Sequence, residues 1–151
     1  MNERPFDLVE LLAGAAVSVN ATVEEAAREL AASGVATIAV LDGPLVKGMF
    51  TEDDLLRAAF PGYLSELKHT SFVDRDTLLA PHLREAAAAP VTEFMHKPEL
   101  VTLPTSALDI AQRFLHSDSA ALIATSDGAF VGVIDQTRFC TAILRRYGWQ
   151  L

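Results

Sequence analysis

The sequence predicts an α+β fold: two β-α-β-β-α units packed as one pseudo-symmetric module. Three observations carry that expectation. The chain repeats its own pattern at constant spacing, each copy sets two apolar strands around an Asp-Gly turn, and each copy flanks them with helices that carry capping signals. Residues 17–60 read VSVNATVEEAARELAASGVATIAVLDGPLVKGMFTEDDLLRAAF, and residues 101–144 read VTLPTSALDIAQRFLHSDSAALIATSDGAFVGVIDQTRFCTAIL. They align without a gap. Val17 falls on Val101, Ala27 on Ala111, Ser33 on Ser117, Gly48 on Gly132 and Ala58 on Ala142, an offset of 84 residues (132 − 48).

Each copy opens with a short β-rich piece, VSV or VTL. A helix follows. Thr22 with Glu25 forms a capping-box pattern, and Ser106 with Asp109 resembles one. Val23, Ala26, Ala27 and Leu30 then recur at helical spacing, as do Ala107, Ile110, Ala111 and Phe114. The first helix ends near Ser33-Gly34 and its counterpart near Ser117-Asp118. Two strands come next, TIAVL and LVKGMF, or ALIAT and AFVGVI, turning at Asp42-Gly43 and Asp127-Gly128. A second helix closes each unit, over about 51–60 and 135–146. A unit of roughly 45 residues buries too little surface to stand alone, so the copies are expected to pack as one domain.

The rest of the chain precedes or joins the copies. Residues 5–13 (PFDLVELLA) predict a short helix leading into the first repeat, which spans 5–60. Residues 61–90 form a connector in which Leu78, Leu79, His82, Leu83 and Ala86 suggest a helix with an apolar face. It is too apolar for a flexible linker and is expected to pack on the repeats or at a subunit contact. The second repeat spans 91–146, and 147–151 are a tail whose Tyr147 and Trp149 suggest packing or an interface.

Composition narrows the function. Of 151 residues, 12 are Lys or Arg and 20 are Asp or Glu, a formal charge of −8 that disfavours nucleic acid. No apolar run approaches the ~18 residues of a membrane span, and MNERPFDLVELL lacks the layout of a signal peptide. A single cysteine, Cys140, excludes an internal disulfide and fits a cytoplasmic protein; its place in the last helix suggests burial. His69, His82, His96 and His116 show no metal-ligand spacing. No nucleophile elbow, P-loop or GxGxxG pattern is present, so no enzyme activity is expected.

One stretch, KGMFTEDDLL at 47–56, carries candidate chemistry. Gly48 would let something approach its strand closely. Thr51 stands at the strand-to-helix corner, where its hydroxyl can cap the helix or bond a phosphate oxygen. Asp54, one turn on, can accept from both hydroxyls of a cis-diol. The same Thr-x-x-Asp also satisfies a plain N-terminal capping arrangement, and Glu52 and Asp53 suit a solvated helix start.

The ordered set of these segments resembles a tandem pair of CBS domains, a Bateman module. The residues that carry the resemblance are Thr22–Ala27, TIAVLDGPLVKG and GMFTEDDLL in the first copy. In the second they are PVTEFMHKP, LVTLPTSALDIA, ALIATSDGAFVGVI and DQTRF. The resemblance covers 5–60 and 91–146 and implies a disc-like module with two clefts between the copies. Many members bind AMP, ADP, ATP or S-adenosylmethionine there; others act only as dimerisation units. It implies that Thr51 faces phosphate or ribose and that Asp54 accepts from the ribose. It implies that Val35, Ala36, Ser119, Ala120 and the lead-in residues Lys97, Pro98 and Glu99 line the same cleft. The second copy departs from the motif, with Asp135 in place of Thr51 and Arg138 in place of Asp54. Asp135 would repel phosphate and Arg138 has no acceptor, so one working cleft is expected. An adenine nucleotide, with AMP favoured, is the expected ligand. A homodimer through Leu55, Leu56, Phe139 and Ile143 and a separate effector protein are the expected partners. The alternative is a ligand-free dimerisation module.

Overall fold

The structure, a computed structural model, describes residues 7–60 and 75–151. The first repeat runs β2 (Ala16–Ser18), α1 (Val23–Ser33), β3 (Thr37–Asp42), β4 (Leu45–Thr51) and α2 (Glu52–Ala59), preceded by β1 (Leu12–Ala13). After α3 (Arg75–Ala88), the second repeat runs β5 (Leu100–Thr102), α4 (Ala107–Leu115), β6 (Ala121–Ser126), β7 (Ala129–Asp135) and α5 (Gln136–Arg146). Within each repeat a helix crosses over between two parallel strands, and an Asp-Gly hairpin returns the chain antiparallel. The Oγ of Thr22 and of Ser106 accept from Glu25 N and Asp109 N, as their spacing predicted. Both hairpins carry a register shift at equivalent places, Val40/Leu41 and Ala124/Thr125.

The two sheets, β2-β3-β4 and β1-β7-β6-β5, share their interior. Side chains alternate along a strand, and β6 uses both faces. Ala121 and Ile123 join the first repeat's core with Ile38, Val40 and Phe50, while Leu122 and Ala124 pack under α4 and α5 with Ile110, Phe114 and Phe139. Neither repeat closes its own core. The connection of Phe130 N to Pro44 O, 2.8 Å, ties the two hairpin turns together.

The lead-ins are exchanged between repeats. The segment before the first repeat forms β1 and pairs with β7 of the second, Leu12 opposite Ile134 and Ala13 opposite Val133. The segment before the second repeat crosses to β4 of the first, where Met49 and His96 exchange two backbone hydrogen bonds of 3.0 Å. This corrects the expected helix over 5–13. Of its described part, only Leu8–Leu11 is helical, a single 3-10 turn capped by Asp7, and the chain then becomes a strand. The free edge of β7 offers backbone partners and an apolar face for Leu8, Leu11 and Leu12, so pairing overrides local helix preference.

The connector helix is present as α3, with Ala86 buried, and it packs on α1 and α2. Its exit is stitched to the first repeat by Val23 N to Ala89 O and Val91 N to Ala21 O, both 2.9 Å. The remainder of the 61–90 connector, including Pro61-Gly62 and His69, lies outside the described residues. Two further expectations change. Phe139 is turned inward, 3% exposed, with its ring centroid 5.7 Å from that of Phe114, so it offers nothing to a partner chain. Because Phe139 takes the inward position of α5, its neighbour Cys140 faces outward and is exposed. Tyr147 and Trp149 are also exposed in the isolated chain.

Candidate inter-repeat cleft

β4 ends and α2 begins at Thr51, which has extended dihedrals and acts as the N-cap. The hydrogen bonding at this corner is closed on itself. Thr51 Oγ1 accepts from Asp54 N at 3.2 Å and donates to Asp54 Oδ2 at 3.1 Å, while Thr51 N donates to the same Oδ2 at 2.9 Å. His96 Nδ1 lies 2.8 Å from that oxygen as well. The first helical N–H, from Glu52, is taken by Ala36 O at 2.9 Å. The capping-box alternative for Thr51 and Asp54 is thus the arrangement present, with a histidine added from the other repeat's lead-in.

In front of this corner is a cleft of about 340 Å³ between the repeats. The first repeat contributes Ala36, Met49 and Thr51, together with Glu52 and Asp53 of α2. The second contributes His96 and the segment Asp118-Ser119-Ala120. Four of the residues singled out from sequence therefore meet there: Thr51, Ala36, Ser119 and Ala120. Four others are placed elsewhere. Asp54 lies behind His96, its side chain 14% exposed against 44% for the imidazole. Val35 is a core residue. Pro98 is not among the cleft residues. Gly48 is covered by the lead-in: a Cβ there would sit 2.6 Å from Met95 Sδ and 3.1 Å from His96 O. The close approach that Gly48 permits is that of the protein's own chain. His96 escaped the sequence reading because a lone histidine in a lead-in carries no local signal; only the Met49–His96 pairing brings it to Asp54.

In the second copy, Asp135 Oδ2 accepts from Arg138 N at 3.0 Å and caps α5. The Arg138 guanidinium reaches the first repeat, where a Cβ on Gly34 would lie 3.8 Å from its Nη2. Gly34 is the left-handed C-cap of α1, so a cation stands at that helix's C-terminus. A separate concavity of about 540 Å³ lies beside α4, with Thr102, Asp109, Arg113 and His116 among its residues. It is built from the second repeat and its lead-in, and Arg113 there is bound to Leu100 O at 3.1 Å. Among the described residues no group of His, Cys, Asp and Glu side chains is arranged to hold a metal ion, and no helix is long and apolar enough to cross a membrane.

Comparison with known proteins agrees with this architecture. Residues 7–60 match the family model of the CBS domain. No curated protein matches the chain. Among solved structures, the CBS-pair protein CBSX2 from Arabidopsis thaliana superposes with a TM-score of 0.69 at 17% identity, covering 97% of this chain and 100% of that one. The CBS domain of a CBS domain-containing membrane protein from Sphaerobacter thermophilus gives 0.70 at 20% identity, covering 92% of this chain and 88% of that one. CBSX2 in complex with AMP gives 0.65 at 18% identity over 93% and 97%. The first repeat thus matches the CBS domain model, and the chain as a whole has the fold seen in solved CBS pairs.

Proposed function

We propose that this chain is a regulatory module that senses an adenosine-containing nucleotide, with AMP the favoured ligand, in the cleft between its repeats. The observation that carries the reading is the cleft itself. Its volume of about 340 Å³ falls within the roughly 300–1,000 Å³ of small-molecule sites, and both repeats line it. A ligand bound there would bridge the copies, which is how a binding event could change the shape offered to an effector protein. The complex of CBSX2 with AMP, a protein of the same fold, supports the choice of nucleotide. In this reading Met49, Ala36 and Ala120 offer the base an apolar lining, and Ser119 and His96 offer polar groups to the sugar and phosphate.

The test is a thermal-shift screen of AMP, ADP, ATP and S-adenosylmethionine on the purified chain. A ligand at a hundred times its Kd adds about 2.7 kcal/mol of stability. One specific observation favours the second reading, a ligand-free dimerisation module: Thr51 and Asp54 already satisfy each other. Under that reading none of the four compounds raises the unfolding temperature.

A further inference from the structure

We propose that His96, oriented by Asp54, is the phosphate-facing residue of the inter-repeat cleft. This inference rests on the nucleotide reading above and assigns the anion end of that site to a residue outside the Thr-x-x-Asp pair.

A phosphate needs N–H or O–H groups and, in a cleft bordered by acids, a cation. Thr51 has one hydroxyl proton, and it goes to Asp54 Oδ2. Its backbone N–H goes to the same oxygen, and the N–H of Glu52 goes to Ala36 O. The corner assigned to phosphate from sequence is therefore already engaged. The charged side chains lining the cleft are Glu52 and Asp53 from α2, Asp118 from the segment before β6, and His96. Asp53 is paired with Arg57 at 3.1 Å, which leaves Glu52 and Asp118 facing the cleft without a described ion pair. His96 is the one basic side chain among these lining residues.

The geometry fixes what His96 can present. Its backbone is held to Met49 by two hydrogen bonds, so the ring is anchored at the cleft wall. Nδ1 lies 2.8 Å from Asp54 Oδ2 and donates to that carboxylate. With Nδ1 protonated, the neutral ring offers only an acceptor at Nε2, whereas the imidazolium offers a second N–H. Nε2 is the ring nitrogen left for the cleft. An anion bound there is matched by the imidazolium, which puts an N–H at Nε2. The charged groups about the ring are Asp54, bonded to Nδ1, and Glu52, Asp53 and Asp118, which line the same cleft; Lys97 and Glu99 follow along its own segment.

The experiment follows the histidine ring resonances by NMR, with His96 assigned by its loss in His96→Gln. The chain is titrated with AMP, adenosine and pyrophosphate, and calorimetry compares parent and variant. AMP and pyrophosphate are expected to shift the His96 ring signal, and adenosine to leave it nearly unmoved. His96→Gln is expected to weaken AMP about tenfold at pH 6, with its unfolding temperature close to the parent's. A His96 signal indifferent to all three compounds, or equal AMP affinity in parent and variant at pH 6, overturns the proposal. If pyrophosphate moves His96 while AMP and adenosine fail to bind, the anion site stands and the nucleotide reading falls. If AMP and adenosine bind alike with His96 unmoved, the nucleotide reading stands and this one falls.

Discussion

At the scale of residues, the informative group is Thr51, Asp54 and His96. Asp54 accepts three hydrogen bonds on one oxygen, two from Thr51 and one from a histidine more than forty positions away in sequence. That makes it a structural residue whatever it binds. Asp54→Ala removes the reciprocal half of the capping box and leaves Thr51 N without its partner. A loss of about 1 kcal/mol is expected, which in a chain of this length lowers Tm by about 2–4 °C. Asp54→Asn keeps an acceptor and should lose less. Thermal unfolding of both variants checks this; an Asp54→Ala protein as stable as the parent would show that the corner is held by packing alone. The matching substitution Asp135→Ala removes one hydrogen bond to Arg138 N and has no histidine to release, so its effect should be the smaller.

At the scale of elements, the exchanged lead-ins decide how the repeats hold together. Two glycines, one per repeat, make the exchange possible by letting the other copy's lead-in lie against the strand. At Gly48 an added Cβ meets the Met95 side chain, which has three rotatable bonds and can move aside, although His96 O at 3.1 Å cannot. At Gly132 the Cβ would sit 2.6 Å from Leu12 Cβ and 3.2 Å from Leu12 Cα, atoms fixed by the backbone. Overpacking of this kind costs about 1–3 kcal/mol. Gly132→Ala is therefore expected at the upper end and Gly48→Ala at the lower, read from chemical denaturation midpoints. Equal effects would mean that β1 detaches from β7 as easily as Met95 rearranges.

At the scale of the whole molecule, the sequence carried the architecture because repetition samples each element twice. The Asp-Gly turns, the capping residues and the apolar strands recur at one offset, so local ambiguity in one copy is resolved by the other. What it did not carry is what depends on contacts across the repeats. PFDLVELLA reads as a helix until β7 presents an edge to it. Phe139 reads as a surface anchor until Phe114 is seen beneath it. His96 reads as one of four histidines without metal-ligand spacing until Met49 brings it to Asp54. Of the candidate site, Thr51, Ala36, Ser119 and Ala120 converge on the cleft because they sit at fixed corners of the repeat. Val35 and Gly48 sit one step away, facing the core and the lead-in.

The charge of the molecule sets an expectation about ligand size. The chain has a formal charge of −8, and Glu52, Asp53 and Asp118 border the cleft. Each added phosphate brings negative charge toward those carboxylates, with at least one basic side chain, His96, to offset it. Calorimetry without magnesium should therefore rank AMP above ATP, and magnesium should narrow the gap. ATP binding more tightly than AMP in the absence of magnesium would mean that cations outside the described lining dominate.

Self-association is expected to use the second repeat. On the first, α3 already lies on α1 and α2, so those helix faces are partly covered by the chain itself. On the second, Leu108 and Leu115 stand two turns apart on α4 with 71% and 82% of their surface exposed. Tyr147 and Trp149 add exposed aromatic surface at the end of α5. Burying such side chains contributes about 1.5–3 kcal/mol each, and two chains of like charge oppose it. Dimerisation should then strengthen with salt, because screening weakens the repulsion while the apolar contact remains. Sedimentation equilibrium at low and moderate ionic strength measures this directly. Leu108→Glu with Leu115→Glu should shift the chain to monomer, whereas Leu56→Glu on α2 should have little effect. A dimer untouched by the α4 pair but broken at Leu56 would move the contact to the first repeat, past the edge of α3.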